Sequence, residues 1–186
     1  MLILASASPR RKEILTMLNL KFETRPANAD ETFTKSLPPE EIVMTLAKKK
    51  ANAVSFSQND IVLGADTIVY INGRILNKPE DEKDAINMLK MLSNNTHEVF
   101  TGVCLHSLNE EICFYDRTFV TFTPLSDGDI FDYIKTKEPF DKAGAYGIQG
   151  RGCTLVKEIR GDFYNVMGLP AGKVFQNLKK NFNFLL

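Results

Sequence analysis

The amino-acid sequence predicts an α/β protein with an elongated mixed β-sheet flanked by helices. Two observations support this class: apolar strand–helix segments typical of parallel crossover units, and turn signals typical of antiparallel hairpins. A chain of 186 residues that is 44% hydrophobic can bury a sizeable core. No internal repeat and no linker long enough to separate independent domains interrupts it, so we expect a single domain spanning residues 1–186.

The first strand–helix unit lies at the start of the chain. Residues Leu2–Ala5 form a short apolar run, which predicts a buried strand. After the small residues Ser6 and Ala7, Ser8 suits a helix N-cap and Pro9 suits the first helical position. The predicted buried side of this helix comprises Ile14, Leu15 and Leu18.

A second strand–helix pair follows, with an extended piece over Phe22–Arg25 and a polar loop that contains Asp30 and Glu31. A helix is predicted from Pro39 to about Val54 because apolar residues recur there at helical spacing. Its predicted apolar side comprises Ile42, Val43, Leu46 and Ala47.

The apolar run Ile61–Ala65 predicts a strand that is buried on both faces and delivers Asp66 at its far end. The chain continues through Ile68–Ile71 to Asn72-Gly73, a strong type I′ hairpin signal. Residues Arg74–Leu76 are expected to return as the second strand of that hairpin.

The rest of the chain alternates helical and extended patterns. An amphipathic period predicts a helix over Asp81–Leu92, and Asn109-Glu110 separates two long extended runs that should form a hairpin. In chain order, the other predicted elements are strands 98–108 and 112–122, a helix over 126–136 capped by Ser126, a glycine-bearing loop over 141–152, a strand over 154–159 and a closing helix over 170–182.

Composition narrows the classes of function. Lys plus Arg equal Asp plus Glu at 23 each, so no global field favours nucleic acid or a lipid surface, and any anion site must be local. Three cysteines without C-x-x-C spacing indicate reduced thiols, and two histidines are too few for a zinc site without cysteine help. No apolar segment approaches the length of a signal-peptide core or a membrane span, which predicts a cytoplasmic protein.

The first helix opens with three cations, Arg10, Arg11 and Lys12, where the helix dipole already presents positive charge. That arrangement becomes favourable if an anion binds there, because free N–H groups, guanidinium groups and the Ser6 and Ser8 hydroxyls suit phosphate oxygens. The alternative is a solvated basic face on a surface helix.

Lys50 is separated from its neighbours Lys48 and Lys49 by helical periodicity. Counted from Ile42, Leu46 lies four residues and Lys50 eight residues further along the chain, so Lys50 continues the apolar stripe of the helix. The other two lysines point elsewhere. A lysine on a buried stripe needs a partner or a ligand; the alternative is a helix-end lysine that extends its ammonium group to water.

Asp66 gives the strongest single signal, since a carboxylate after a fully apolar run is costly unless it is used or paired. Gly64 and Ala65 leave room beside the backbone. The alternative is an Asp that caps or forms a salt bridge at a strand-to-turn junction.

Weaker signals come from polar loops. Asp30, Glu31 and Lys78 are individually uninformative, because such residues are usually solvated. The stretch Asp141–Gly150 is dense in small residues around one aromatic and one amide. Its Gln149 could pair with the N3–H and the adjacent carbonyl of uracil, a pattern that cytosine would mismatch, although a structural loop is an equal alternative.

Several segments together carry recognisable motifs in a fixed order across nearly the whole chain. They are Leu4–Arg11, Gly64–Thr67, Lys78-Pro79, Asp141–Gly150 and Val166–Pro170. In sequence and order these segments resemble the Maf (septum formation inhibitor-like) nucleotide pyrophosphatases. One departure lies at Asn94, where the family commonly has Gly; Asn tolerates the left-handed conformation that Gly would supply, and His97 just after it is taken as structural.

The resemblance implies a Maf/ITPase-like sheet in two lobes around a central cleft, often in a homodimer. It also implies cleavage between the α and β phosphates that depends on Mg²⁺ or Mn²⁺. The forms Gly-Ala-Asp-Thr and Gly-Ile-Gln-Gly resemble the branch that acts on dTTP and UTP, with a house-cleaning role and a link to cell-division arrest.

The resemblance also carries over residue roles. Asp66 matches the catalytic residue, and Glu31 and Asp66 match positions assigned to the metal. Arg10, Thr67 and Gln149 match positions linked to specificity. The full set matched to substrate binding is Ser6, Arg10, Arg11, Lys50, Thr67, Lys78 and Gln149.

These roles give a mechanistic hypothesis in which cations hold the triphosphate and Asp66, directly or through a metal, orients a water for in-line attack at the α-phosphorus. Two alternatives remain at this stage. One is a pyrophosphatase for other nucleotides, such as 7-methyl-GTP, ITP or XTP; the other is a nucleotide-binding regulator of division without turnover.

Overall fold

The computed structural model describes residues 1–34 and 36–182, so residues 35 and 183–186 of the predicted single domain lie outside the described residues. Contacts group the chain into two compact units. The first unit comprises Met1–Asp66, Thr101–Asp116 and Gly168–Leu186, and the second comprises Thr67–Phe100 and Arg117–Met167.

Strands and helices alternate much as the sequence predicts. The strands are β1 (Leu2–Leu4), β2 (Phe22–Thr24), β3 (Ile61–Ile71), β4 (Arg74–Leu76), β5 (Thr96–His106), β6 (Glu111–Phe122) and β7 (Val156–Arg160). The helices are α1 (Pro9–Met17), α2 (Pro39–Asn52), α3 (Glu82–Leu92), α4 (Asp127–Lys135), α5 (Phe163–Met167) and α6 (Ala171–Phe182). No described helix has both the length and the apolar character needed to cross a bilayer.

The seven strands form one sheet in the order β2-β1-β3-β5-β6-β7, with β4 paired to β3. Strand β1 pairs in parallel with both β2 and β3, whereas β3–β4 and β6–β7 are antiparallel. The predicted mixed α/β class is therefore confirmed, because crossover connections and hairpins coexist in a single sheet.

Strand β3 corrects one prediction. Asp66 does not end the strand but lies in its middle, because β3 continues unbroken to Ile71. Residues Ile61–Leu63 pair with β1, Val69–Ile71 pair with β4, and β5 is a further neighbour of β3, so strand pairing does not end with β1. The type I′ signal is confirmed, since Asn72 and Gly73 both have positive φ, at 50° and 77°.

In the first unit, α1 begins as predicted, with Ser8 as the N-cap and Pro9 as the first helical residue. Ile14 and Leu15 are fully buried, but Leu18 is only half-buried because it lies at the helix C-terminus. Arg11 is buried instead, with 9% of its surface exposed.

Helix α2 packs directly on strand backbone. A Cβ added to Gly64 of β3 would lie 2.2 Å from the Ala47 carbonyl oxygen, and one added to Gly102 of β5 would lie 2.3 Å from the Val43 carbonyl oxygen. Only glycine fits at either contact. The predicted apolar side of α2 is confirmed, because Ile42, Val43, Leu46 and Ala47 are all buried.

In the second unit, α3 is capped by Asp81, and α4 begins with a capping box between Ser126 and Asp129. The predicted loop over 141–152 contains short 3₁₀ turns, one of which extends to Leu155 and delays β7 to Val156. Helix α5 was not predicted, since five residues are too few to show a helical period. Asn94 has a φ of 54°, as expected for a residue that replaces Gly.

Candidate functional site

Lys50 lies at the centre of a charged cluster in the first unit. Its Nζ is 2.6 Å from Oδ1 of Asp66 and 2.8 Å from Oε1 of Glu31. The Lys50 and Asp66 side chains are only 14% and 12% exposed, whereas that of Glu31 is 65% exposed. Lys50 therefore has carboxylate partners, which offset the cost of burying its charge.

The close packing at Gly64 explains why Lys50 meets Asp66. Side chains alternate along a strand, so Gly64 and Asp66 face the same side of β3, and α2 covers that side. The contacts at Ala47 and Ala51 bracket Lys50 and place its ammonium group over the next inward-facing residue of β3.

The loop that carries Glu31 is tied to the same helix. Lys49 Nζ donates a hydrogen bond to the Thr32 carbonyl oxygen at 2.7 Å and lies 3.5 Å from a carboxylate oxygen of Asp30. Asp30 in turn accepts hydrogen bonds from the backbone N–H and the hydroxyl of Thr32. Lys49 thus anchors the loop while Lys50 pairs with Glu31.

Arg11 is the buried cation of the first helix. Its Nε donates to the Gly168 carbonyl oxygen at 2.9 Å, and its Nη1 donates to Ser6 Oγ at 3.1 Å. Burial lowers the pKa of Arg11, and the negative charges of Asp66 and Glu31 oppose that shift. The solvated basic face is therefore ruled out for Arg11, which lies in the electrostatic field of both carboxylates.

Arg10 is half-buried, and its positive charge also contributes to lowering the pKa of Arg11. The Arg11 guanidinium and the Lys50 ammonium group thus lie near Asp66 and Glu31, and Arg10 lies close enough to Arg11 to influence its pKa. Of the residues predicted from sequence, the structure brings together in this unit Ser6, Arg10, Arg11, Glu31, Lys50 and Asp66.

The other three predicted residues belong to the second unit. Gln149 is half-buried in a segment that is held from two sides: the Tyr133 hydroxyl accepts a hydrogen bond from Gly147 N–H, and the Glu138 carboxylate accepts from the N–H groups of Arg151 and Gly152. These bonds fix the backbone on both sides of Gln149.

Lys78 is exposed just after β4, and Thr67 is half-buried on β3. The Lys78 segment is joined to the Gln149 segment through its neighbour, since the Asn77 carbonyl oxygen accepts a hydrogen bond from Gly144 N–H at 3.0 Å. A Cβ on Gly144 would come within 2.9 Å of Val69, so this loop packs closely on β3.

A neutral aromatic cluster lies under the same loop. His97 Nε2 is 2.7 Å from the Tyr146 hydroxyl, and both rings make edge contacts with each other and with Phe122. Burial lowers the pKa of His97 to about 3 and raises that of Tyr146, so both side chains are neutral at physiological pH. The position of His97 agrees with its interpretation as a structural residue.

The charged cluster is suited to binding a metal–phosphate group. Carboxylate oxygens are preferred Mg²⁺ ligands, and one oxygen each from Asp66 and Glu31 converges on the same cation, Lys50 Nζ. Within residues 1–34 and 36–182, no group of three or more His, Cys, Asp or Glu could hold a metal ion. Asp66 and Glu31 could supply two carboxylate ligands to a metal ion whose other ligands are water and phosphate oxygens.

Two contributors to the site were missed from sequence. The Gly168 carbonyl oxygen holds Arg11 although the two residues are 157 positions apart, and Gly168 has a φ of 116°, which favours glycine. Glu138 supports the Gln149 segment from a 3₁₀ turn. Only the motif Val166–Pro170 offered a signal for the first, and nothing in the sequence indicated the second.

Comparison with known proteins gives consistent matches over nearly the full chain. The model of a family described as Maf-like protein matches residues 1–181. The dTTP/UTP pyrophosphatase of Bacillus cytotoxicus is 51% identical over 179 residues, which cover 96% of this chain and 94% of that protein. The dTTP/UTP pyrophosphatase of Bacillus velezensis is 50% identical over 180 residues, which cover 96% and 95%.

A solved structure also aligns with the chain. It is described as a nucleoside-triphosphatase / dITP/XTP pyrophosphatase from Mycobacterium abscessus, with 11% identity, a TM-score of 0.44 and coverage of 98% of this chain and 95% of that one.

Proposed function

Because the chain belongs to the Maf-like protein family, we propose that it is a nucleoside triphosphate pyrophosphatase that hydrolyses dTTP and UTP to the monophosphate and pyrophosphate. Relatives at about half identity over nearly their whole length carry the name dTTP/UTP pyrophosphatase. The proposed single domain over residues 1–186 is supported by a family match that extends from residue 1 to residue 181.

One observation carries the proposal: a buried carboxylate, Asp66, lies among cations in the first unit. A site that only binds a polyanion would gain nothing from a buried negative charge, because like charges repel. Hydrolysis of a phosphoanhydride needs both parts, since cations must hold the phosphates and a base must take a proton from water.

In the proposed reaction, Arg10, Arg11 and Lys50 hold the phosphate oxygens through charge-assisted hydrogen bonds. Asp66 accepts a proton from a water that attacks the α-phosphorus in line with the bond to the β-phosphate. That bond breaks, and its electron pair leaves with pyrophosphate. Ser6 orients Arg11 through the hydrogen bond between its Oγ and the guanidinium group.

Asp66 and Glu31 are the proposed ligands of a divalent metal, Mg²⁺ or Mn²⁺. When bound with the substrate, such an ion supplies charge neutralisation and polarises the phosphoryl oxygens. Lys50 pairs with both carboxylates, and its flexible side chain can also reach phosphate oxygens.

Recognition of the base is assigned to the second unit. Gln149 can offer its amide oxygen to the N3–H of uracil or thymine and its NH₂ group to a neighbouring carbonyl. The hydrogen bonds to Tyr133 and Glu138 hold its backbone in place before the nucleotide arrives. Thr67 and Lys78 are the further proposed substrate-binding residues of this unit.

The family resemblance adds further parts to the proposal: a homodimer, a house-cleaning role and a link to cell-division arrest. A cytoplasmic location is supported by free thiols at Cys104, Cys113 and Cys153, as is usual in reducing compartments. The balanced charge supports a small nucleotide as the partner rather than nucleic acid or a membrane.

A substrate panel tests the proposal. Purified protein with Mn²⁺ or Mg²⁺ is incubated separately with UTP, dTTP, CTP, ITP and 7-methyl-GTP, and released pyrophosphate and monophosphate are quantified. We expect UTP and dTTP to be hydrolysed with the largest kcat/KM and to yield equal amounts of both products. A preference for ITP or 7-methyl-GTP would contradict the pyrimidine assignment, and no release from any nucleotide would contradict the enzymatic one.

A further inference from the structure

Cys104 and Cys113 lie outside the charged cluster, on the neighbouring strands β5 and β6. Their register follows from the loop between these strands, where the Ser107 N–H bonds the Glu110 carbonyl oxygen at 2.8 Å. His106 and Glu111, one position further from the loop, are 3.9 Å apart across the strands. Two more steps along each strand place Cys104 directly opposite Cys113.

The same pairing register holds at the other end of the hairpin, where the hydroxyls of Thr96 and Thr121 are 2.8 Å apart. Ser107 and Glu110 form a hydrogen-bonded pair, and such pairs alternate with non-hydrogen-bonded ones. Cys104 and Cys113 therefore form a non-hydrogen-bonded pair, for which Cα atoms are typically about 4.5 Å apart. That separation lies within the range that disulfides span.

Both side chains face the same packed layer. Cys104 is fully buried among Ala47, Ala51 and Val54, and the half-buried Cys113 packs against this cluster. Both thiols are free in the structure. Cys113 is therefore the member of the pair that small solutes can reach, and the fully buried Cys104 lies opposite it on the neighbouring strand.

The environment favours reaction at Cys113. The two thiols are hydrogen-bonded to each other, and this bond lowers the pKa of Cys113 and raises that of Cys104. The ammonium group of Lys48 lowers the pKa of Cys113 further, while burial and Glu111 oppose the shift. A more acidic, partly exposed thiol is the usual target of peroxides.

We propose that Cys104 and Cys113 form a reversible redox site that closes to a disulfide when a hydroperoxide oxidises the protein. The Cys113 thiolate attacks one peroxide oxygen and breaks the O–O bond, which gives a sulfenic acid and hydroxide. The Cys104 sulfur then attacks the sulfenic sulfur, and the S–S bond forms as water leaves. Two thiols and one hydrogen peroxide thus give one disulfide and two waters; an external thiol restores the pair.

Peptide mapping tests this directly, because both cysteines lie on one tryptic peptide, residues 91–117, and Cys153 lies on another, residues 152–157. The folded protein is treated with hydrogen peroxide, free thiols are alkylated under denaturing conditions, and the digest is analysed by mass spectrometry. We expect peptide 91–117 to lose two hydrogens and both alkylation sites, and dithiothreitol to restore them. Cleavage after Glu110 or Glu111 should leave two fragments joined by the disulfide.

Three variants sharpen the result. Cys113→Ser and Cys104→Ala should each abolish the loss of two hydrogens, while Cys153→Ser, the matched control at an exposed cysteine, should leave it unchanged. The proposal is overturned if peptide 91–117 of the folded wild-type protein keeps both alkylation sites at peroxide doses that oxidise Cys153. It is also overturned if the loss depends on Cys153 or joins two chains.

Discussion

The two units bury polar groups in opposite ways. In the first unit the buried polar groups include the charged Arg11 and Asp66, which together with the nearby Lys50 offset one another. In the second unit they are neutral, and His97 and Tyr146 share a hydrogen bond inside an aromatic cluster. Charges that compensate one another can rearrange around an incoming anion, whereas a neutral, tightly packed cluster keeps its shape.

This difference suits two tasks in the proposed reaction. The charged cluster is matched to phosphate and to proton transfer, and the aromatic cluster supports the loop that presents Gln149 to a base. Substitutions that disturb charge should therefore change turnover, while those in the aromatic cluster should change stability and its dependence on pH.

The largest effect is expected for Asp66→Asn. The amide keeps the size of the side chain but cannot accept the proton of the attacking water, so kcat should fall by about 10²–10⁴-fold. Nucleotide binding, measured at equilibrium without divalent metal, should be retained, because Arg10, Arg11 and Lys50 are unchanged. Asp132→Asn on α4 is the matched control, because its exposed pair with Lys135 should contribute little. Wild-type turnover in Asp66→Asn would show that Asp66 takes no part in the reaction.

A smaller effect is expected for Gly64→Ala, which tests the packing that places Lys50. The new methyl group would meet backbone atoms of Ala47 and Ala51, so α2 must move. We expect a loss of about 1–3 kcal/mol in the free energy of unfolding, measured with urea, together with a lower kcat.

The control for this variant is Gly172→Ala in α6, where no described atom lies within 4 Å of the added methyl group. Alanine is the better helix former, so this variant should be as stable as the wild type or up to about 1 kcal/mol more stable. Equal stability of the two variants would show that α2 is not held by Gly64.

The smallest effect at neutral pH concerns His97. Its pKa is lowered from 6.5 to about 3 by burial, so the unfolded chain binds more protons than the folded one between these values. The stabilisation is fully present above pH 6.5 and declines as the pH falls towards 3, by about 1.4 kcal/mol per pH unit. His97→Gln, which can still bond Tyr146 but does not titrate, should lose this part of the slope.

Urea unfolding of the wild type and His97→Gln at several pH values between 4 and 8 gives the comparison. The difference in the free energy of unfolding between the two proteins should be constant above pH 7 and change below about pH 6.5. A constant difference over the whole range would mean that His97 is protonated in the folded state as readily as in the unfolded chain.

Much of the charged cluster could be predicted from the sequence, because its residues stand out in local sequence patterns. Helical spacing put Lys50 on the buried side of α2, and an isolated carboxylate in an apolar run identified Asp66. Both predictions depend only on residues that are close in sequence, within a single helix or a single strand. The pairing between them did not follow from either pattern alone, although the structure brings them to 2.6 Å.

What could not be predicted depends on distant partners. Arg11 is buried because a carbonyl oxygen from residue 168 accepts its hydrogen bond, and cations are otherwise expected at the surface. Asp66 lies within β3 because the β3–β4 hairpin extends the strand after its pairing with β1 has ended. The hairpin itself was predicted, but the burial of Arg11 and the unbroken continuation of the β1-paired segment into the hairpin depend on tertiary structure, which local strand and helix patterns do not encode.

The contact of α2 with the backbone at Gly64 and Gly102 has a consequence for the two carboxylates around Lys50. Asp66 belongs to a strand on which α2 packs in close contact at Gly64. This contact leaves α2 little room to shift, so the position of the Asp66 carboxylate is fixed. Glu31 lies on a loop that Lys49 and Lys50 of α2 both contact, and its side chain is 65% exposed. We therefore expect a ligand that is too large for the spacing of the two carboxylates to displace Glu31 and to leave Asp66 in place.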